Sequence, residues 1–317
     1  MEAEGDLAEL FKAKQSNEIS RETYWAQAKS IFESLFQFIQ FQQALGNKVD
    51  FSDGEIIIDL KCTQSHESRM RMLLDPSDVR SVPFSVLCEG FYEIFHADLL
   101  FSLGKESNHF LDIGANMGFY SIGLALENPD LRVETFEPQL GVLRYLTRNI
   151  EINHLIDRIR VHNVGLSSES GELTMYVPRF TGSGGGSFSN LHPDEGEAKE
   201  VTVPVIPLDH QYNGPADLIK IDVEGFELNV ILGGIMLIEK HKPTIVIELL
   251  RKWMKPFGHH PQDVVTILSN LGYECFAIKT SSLNAIKNIT DQTNETNFVF
   301  VHESRVDHAR IIQNLVR

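Results

Sequence analysis

His109-Phe110-Leu111-Asp112-Ile113-Gly114-Ala115-Asn116-Met117-Gly118 leads into an apolar run and then into Arg132-Val133-Glu134-Thr135-Phe136-Glu137-Pro138. This stretch reads as a strand, a glycine-rich turn, a helix and a second strand that ends on an acid. Gly114 and Gly118 let the backbone turn sharply and approach a ligand without a Cβ in the way. The helix that follows begins with unpaired N–H groups, which suit an anionic or carboxylate group. Glu137 lies 25 positions beyond Asp112, where an acid in nucleotide folds accepts hydrogen bonds from a ribose diol. The reading is a nucleoside-cofactor site.

Gly114-x-Asn116-x-Gly118 is not the GxGxxG spacing that seats a pyrophosphate, since positions 117 and 119 hold Met117 and Phe119. Asp112, two residues before the first glycine, would repel a dinucleotide phosphate. It suits a ligand with a cationic end, such as the ammonium and sulfonium of S-adenosylmethionine. The alternative is an ordinary βαβ unit with no ligand.

Bulk properties narrow the function classes. The 317 residues are enough for one large or two small domains with a substantial core. The formal charge of −16 argues against a nucleic-acid partner and against adsorption to an anionic membrane surface. Residues 1–6 lack the basic and apolar segments of a signal peptide, and no apolar run reaches spanning length. Cys62, Cys88 and Cys275 are few, far apart and without metal-ligand spacing. The expectation is a cytoplasmic protein with no membrane insertion.

Three regions follow from the pattern: a helical extension over 1–50, a lead-in over 51–107 and a main domain over 108–317. Within 4–46, Trp25, Ala28, Phe32, Leu35, Phe36 and Ile39 recur at three- and four-residue steps, and Gly46 ends the helix. That stripe reads either as packing on the main domain or as a subunit interface or substrate lid, so a homo-oligomer through these helices is one expectation. Residues 55–60 and Arg69–Leu74 read as strands, Asp75-Pro76-Ser77-Asp78 as a turn, and Gly90-Phe91-Tyr92-Glu93 as the opening of a helix to about Leu103. From residue 108 strands and helices alternate at the pitch of βαβ units. Strands are expected at 108–113, 131–136, 158–163, 216–222, 243–249, 273–278 and 296–302. Helices are expected at 117–127, 139–152, 226–241, 261–271 and 304–315. Residues 171–206 break the alternation with two β-rich runs around Thr181-Gly182-Ser183-Gly184-Gly185-Gly186-Ser187, which reads as a substrate lid.

Ligands in open α/β sheets bind at the carboxyl ends of the strands, and three acids are expected there: Asp112, Asp222 and Glu248. Lys220 and Asp222 share one face of the strand Leu218-Ile219-Lys220-Ile221-Asp222. Polar groups in so apolar a strand are costly unless paired or functional. Glu248, in an apolar run of its own, should sit beside Asp222 on the neighbouring strand, and two carboxylates this close either share a proton, bind a cation or are neutralised by Lys220.

Phe110–Gly118, Phe136-Glu137-Pro138, and Ile219-Lys220-Ile221-Asp222-Val223-Glu224-Gly225-Phe226-Glu227 with Ile247-Glu248 together resemble FkbM-type S-adenosylmethionine-dependent methyltransferases. The likeness covers about residues 70–302, including Gly90-x-Tyr92-Glu93 and the serine-rich stretch Ser183–Leu191. It implies an α/β fold of class I methyltransferase (Rossmann-like) type, with a seven-stranded, mostly parallel sheet and helices on both faces. It also implies O-methylation of a hydroxyl on a sugar, polysaccharide or natural-product acceptor. Carried over, it puts cofactor contacts at Asp112, Gly114, Asn116, Gly118 and Glu137, with Asn163 and Val164 flanking adenine and Glu93 at the methionine end.

An alcohol acceptor must lose a proton during attack. Asp222 is the first choice as base, or as ligand to a divalent cation; Glu224 and Glu248 follow, with Lys220 beside them. Catechol-type methyltransferases hold Mg²⁺ at such a place, but Leu249 stands here where they have asparagine, which speaks against a metal. His259-His260 reads either as a base or as the cap of the helix at Pro261. The competing readings are an NAD-dependent oxidoreductase on a related fold and a non-catalytic binding protein.

Overall fold

The computed structural model describes residues 7–316 except 17, 53, 64, 76–77, 79–80, 179–185 and 192–197. The predicted helix start at 4–6, the centre of the Asp75–Asp78 turn and most of the expected lid lie outside the described residues. The chain divides into two compact units, Met1–Asp50 and Phe51–Arg317.

In the first unit the expected helical region is two helices, α1 (Leu7–Gln15) and α2 (Arg21–Ala44). The break falls where Ser20 caps α2 by accepting from the Thr23 N–H. Serine at that place satisfies an otherwise orphaned donor. Gly46, at φ 76°, follows the end of α2 as expected. Along the predicted stripe Ala28 is buried, whereas Trp25, Leu35 and Phe36 are exposed. β1 (Lys48–Ser52) carries the chain into the second unit.

There β2 (Glu55–Lys61) and β3 (Arg69–Leu74) pair antiparallel. α3 (Val82–Glu89), which the sequence reading lacked, precedes α4 (Ile94–Lys105). The alternating core follows as β4 (His109–Ile113), α5 (Phe119–Glu127), β5 (Arg132–Phe136), α6 (Leu140–Ile152) and β6 (Ile159–His162). β7 (Gly165–Leu166), β8 (Gly171–Val177) and β9 (Lys199–Ile206) form a separate small sheet in the order β7-β9-β8. The chain then returns through α7 (Leu208–Gln211), β10 (Leu218–Ile221), α8 (Glu227–Gly233), α9 (Ile235–His241) and β11 (Thr244–Glu248). It ends with α10 (Arg251–Met254), α11 (Pro261–Asn270), β12 (Tyr273–Ile278), β13 (Leu283–Ile286), β14 (Asn297–His302) and α12 (Val306–Leu315).

The main sheet has the order β13-β12-β14-β11-β10-β4-β5-β6. The class I methyltransferase architecture stands, with one strand more than the expected seven, because β13 adds to the edge beside β12. β11, β10, β4, β5 and β6 are mutually parallel, and β14 runs antiparallel between β11 and β12. The predicted 226–241 helix is two helices that meet at Gly234. All four residues of β10 are buried, as a strand covered on both faces requires.

The chain runs outward from β4 to β6, then returns to lay β10 on the other side of β4. The order therefore reverses between β4 and β10, and their carboxyl ends open a crevice. At the opposite edge Arg305 locks the strand starts: it donates to Asp217 Oδ1 at 2.6 Å and to the carbonyls of Ala216, His241 and Lys242. Asp217 in turn accepts from the Asn108 and His109 N–H groups. Removing one member strands the others' polar groups in partly buried surroundings. Arg305→Ala is expected to cost about 2–4 kcal/mol in urea unfolding while leaving ligand affinity at the far edge unchanged.

Candidate active site

The crevice is a cavity of about 270 Å³, close to the lower limit of about 300 Å³ common for small-molecule clefts. Its walls come from the turn after β4, the end of β5, the segment after β6, the end of β10, Gly186–Phe188 and Trp253. Of the sequence-predicted residues, Gly114, Asn116, Glu137, Val164, Lys220, Asp222 and Glu224 line it. Glu93, Asp112, Gly118, Asn163 and Glu248 do not line it.

Two turns close on one another here. Gly114 (φ 77°) leaves β4, and a Cβ on it would lie 1.8 Å from the Asp222 carbonyl oxygen. The sequence reading gave this glycine to ligand approach; the structure shows that it first admits the neighbouring strand end. After Asp222, Glu224 (φ 57°) and Gly225 (φ 101°) both adopt left-handed backbone. Glu227 braces that turn by accepting from the Gly225 N–H at 2.9 Å and the Val223 N–H at 3.4 Å.

Glu137 sits at the end of β5 with 7% exposure. Its Oε2 accepts from the Asn116 N–H at 3.0 Å and its Oε1 from the Gln139 N–H at 2.9 Å. Burial pushes its carboxyl up to about 7, against the pull of those two bonds. A carboxylate offers about four lone-pair sites, so each oxygen still has room for a ligand hydroxyl. Asn163 reinforces the strand end by donating to the Glu137 and Pro138 carbonyls. It is part of the frame, and Val164 beside it is on the wall.

Asp112 is 1% exposed, and Ser121 occupies its Oδ2 through both N–H (3.1 Å) and Oγ (2.5 Å). Oδ1 has no hydrogen-bond partner, and Lys220 Nζ lies 4.0 Å from it. The expected counter-ion for a ligand's cationic end thus faces a cation of the protein itself. Burial raises the Asp112 carboxyl, and Lys220 opposes that shift.

Lys220, 5% exposed, donates to Asp222 Oδ2 at 3.1 Å and rests 5.5 Å from the centre of the Tyr120 ring. Burial alone would lower its ammonium, but the charges of Asp222 and Asp112 outweigh it and the group is raised. Of the three outcomes weighed for Asp222 and Glu248, neutralisation by Lys220 holds for Asp222, whereas Glu248 is pushed toward its protonated form. Glu93, at φ 42°, accepts on Oε2 from Tyr120 Oη (2.6 Å) and His96 Nδ1 (2.9 Å). Burial works to raise its carboxyl, yet His96, Tyr120 and Lys220 bring it down to about 2.

Glu248 lies at the end of β11, and burial followed by the charges of Asp222 and Glu224 pushes its carboxyl up to about 9. His260 caps α11 by accepting from the Gln262 N–H, with Asp263 closing the reciprocal bond. Among the described residues no three His, Cys, Asp or Glu side chains form a group able to hold a metal ion.

Tyr92, Tyr120, Phe188 and Trp253 on the wall, and Glu227 behind it, received no role in the sequence reading, although Tyr92 and Glu227 stand in the motifs that carry the resemblance. Trp253 could have been found, because it follows β11 at the active edge; Tyr120 and Phe188 are brought in by tertiary packing and carry no local signal.

Residues 112–275 match the methyltransferase FkbM domain. The chain belongs to the FkbM methyltransferase family. The chain is 28% identical over 219 residues to methyltransferase sdnD of Sordaria araneosa, covering 58% of this chain and 81% of that protein. It is 26% identical over 147 residues to methyltransferase 1 of Beauveria bassiana, covering 40% and 59%. A crystal structure of methyltransferase FkbM from Methylobacillus flagellatus is similar at 20% identity and a TM-score of 0.40, over 62% of this chain and 44% of that one. This family membership replaces the oxidoreductase reading.

Gly114→Ala would force a methyl group into the Asp222 carbonyl and strain a left-handed turn. It is expected to lower stability by about 2–4 kcal/mol, read as a fall in the thermal midpoint.

Proposed function

We propose that this protein transfers the methyl group of S-adenosylmethionine to a hydroxyl of a sugar or natural-product acceptor. The observation that carries the proposal is the Lys220–Asp222 pair, set in the wall of a cleft whose other end is the Glu137 cradle. When bound, S-adenosylmethionine supplies a methyl group already activated by its sulfonium.

The chain's residues then have three tasks. Glu137 accepts the ribose hydroxyls, with its carboxylate fixed by the Asn116 and Gln139 N–H groups. The Gly114–Gly118 turn gives a backbone edge for the amino-acid portion, towards Glu93, and Val164 packs on the base. Asp112 serves from behind, binding Ser121 at the start of α5 and so fixing the turn.

Asp222 takes the acceptor's proton. Its side chain is 34% exposed, so it is open to a substrate, and Lys220 fixes one of its oxygens. Glu248 is the weaker candidate, because a carboxyl at about 9 is protonated near neutrality and has no base to offer. Tyr92, Phe188 and Trp253 surround the same end of the cleft and give an acceptor an apolar face to lie against. A homo-oligomer through the exposed face of α2 is part of the same proposal.

Calorimetry with S-adenosylmethionine and NAD in parallel should give binding to the first alone. With methyl-labelled donor and a cell extract as acceptor source, Asp222→Ala is expected to keep cofactor affinity and lose about 10²–10⁴-fold of label incorporation. A native chain that binds the donor yet transfers no label is a binding protein instead.

The Glu137 carboxyl gives a pH signature. Ribose hydroxyls are received by the ionised form, so affinity for S-adenosylhomocysteine should rise as pH passes upward through about 7. The gain from pH 6 to 8 is at most about tenfold, in proportion to the ionised fraction. Glu137→Gln should bind more weakly and show no such rise. Stability runs the other way. A carboxyl raised above its usual value stabilises the fold fully at low pH and loses that contribution as pH climbs through the folded value.

A further inference from the structure

We infer that Tyr120 and Glu93 are positioning residues that hold the Lys220 ammonium against the Asp222 carboxylate. The inference rests on the reading of Asp222 as the base, and it concerns how that carboxylate is kept in place. The observations form one connected path: His96 Nδ1 to Glu93 Oε2 at 2.9 Å, Tyr120 Oη to the same oxygen at 2.6 Å, the Tyr120 ring under Lys220 Nζ at 5.5 Å, and Lys220 to Asp222 at 3.1 Å.

Each link has a physical reason. Lys220 is buried, and an ammonium out of water requires every one of its directions to meet negative charge. Asp222 takes one, Asp112 Oδ1 stands 4.0 Å away on the second, and the Tyr120 ring face meets the third. A ring face attracts a cation through its quadrupole, more strongly when desolvated. A phenol that donates a short bond to a carboxylate gains phenolate character, which enriches that face. Glu93 thereby acts on Lys220 through Tyr120 as well as directly, and its charge is among the causes that raise Lys220.

Glu93 adopts left-handed backbone, which a residue with a side chain keeps only where its surroundings impose it. Here Glu93 is the N-cap of α4 but makes no side-chain cap bond. Its carboxylate is turned instead to Tyr120 and His96. The charge of Glu224 also acts on this corner of the cleft, and a Lys220 held in place keeps its bond to Asp222 against that competitor.

The test uses the full chain labelled with ¹⁵N-lysine and followed by ammonium correlation spectra, in which Lys220→Arg identifies the Lys220 signal. The expected signal is shifted upfield by the Tyr120 ring and slow to exchange with water. Tyr120→Phe, which keeps the ring and removes only the hydroxyl, should speed that exchange about tenfold and move the signal. Glu93→Gln, which also removes a charge that acts on Lys220 directly, should do at least as much, and the double variant should match Glu93→Gln alone, because the Tyr120 hydroxyl acts only through its bond to Glu93. Label incorporation should fall by a similar factor in each, and in Tyr120→Phe the affinity for S-adenosylhomocysteine should stay within about twofold of the native chain's.

An unchanged Lys220 signal in Tyr120→Phe, or effects that add in the double variant, overturns the inference. If Glu93→Gln fails to fold, the Tyr120→Phe spectrum alone decides. Failure of the underlying reading is distinguishable: Asp222→Ala would then retain full label incorporation whatever the spectra show.

Discussion

A buried ammonium between two carboxylates holds this site together. Lys220 stands on the central strand β10, with Asp112 on β4 to one side and Asp222 at its own strand's end. A lone buried lysine would give up its proton, because burial penalises the charged form. Here the two aspartates reverse that, and Lys220 remains a cation among residues that otherwise form a continuous apolar core. The same cation allows Asp112 to be buried at all. With Lys220 absent, two carboxylates would stand on neighbouring strands without a counter-charge, and burial would drive Asp112 to its protonated form. The cost of that arrangement falls on stability, and its return is a fixed carboxylate at the mouth of the cleft.

The backbone repeats the logic at smaller scale. The carbonyl of Asp222 occupies the place where a Cβ on Gly114 would stand, so the turns after β4 and β10 interlock. Gly225 packs in the same manner, where a Cβ would lie 2.4 Å from the Trp253 carbonyl. The ends of β4 and β10 and the helix α10 are thus mutually fixed by backbone contact, and the side chains they carry inherit that rigidity. Glu137 adds the end of β5, since its carboxylate is clamped to the turn after β4 through the Asn116 N–H.

Much of this was legible in the sequence because it depends on local pattern. The apolar runs at β4, β10 and β11 announce buried parallel strands, and Lys220 and Asp222 stand out against them. β13 was missed because Leu283–Ile286 is short and two of its four residues are exposed, so it has no hydrophobic alternation to read. α3 was missed although Ser81 and Pro83 mark its start, because an eight-residue helix gives too little periodicity to see. The residues around the site divide the same way. Glycines and acids at strand ends could be placed by spacing. The partners that set their chemistry, Ser121 for Asp112 and Tyr120 for Glu93 and Lys220, are matched across the fold and leave no spacing to read.

On the proposed reading, the surplus of acid around the cleft has a consequence for catalysis. Asp222, Glu224 and Glu93 make the region negative, and burial, reinforced by the charge of Asp222, pushes Glu248 and Glu227 up toward their protonated forms. Such a field attracts a cationic donor, and taken alone it would stabilise the ground state and slow transfer. The transfer removes the positive charge from sulfur while Asp222 gains a proton, so a positive and a negative charge disappear together. Away from bulk water such annihilation is favoured, because neither charge loses much solvation on disappearing. Lys220 then matters as the charge that stays, compensating Asp112 when Asp222 has become neutral and keeping the carboxyl group where the next acceptor must find it.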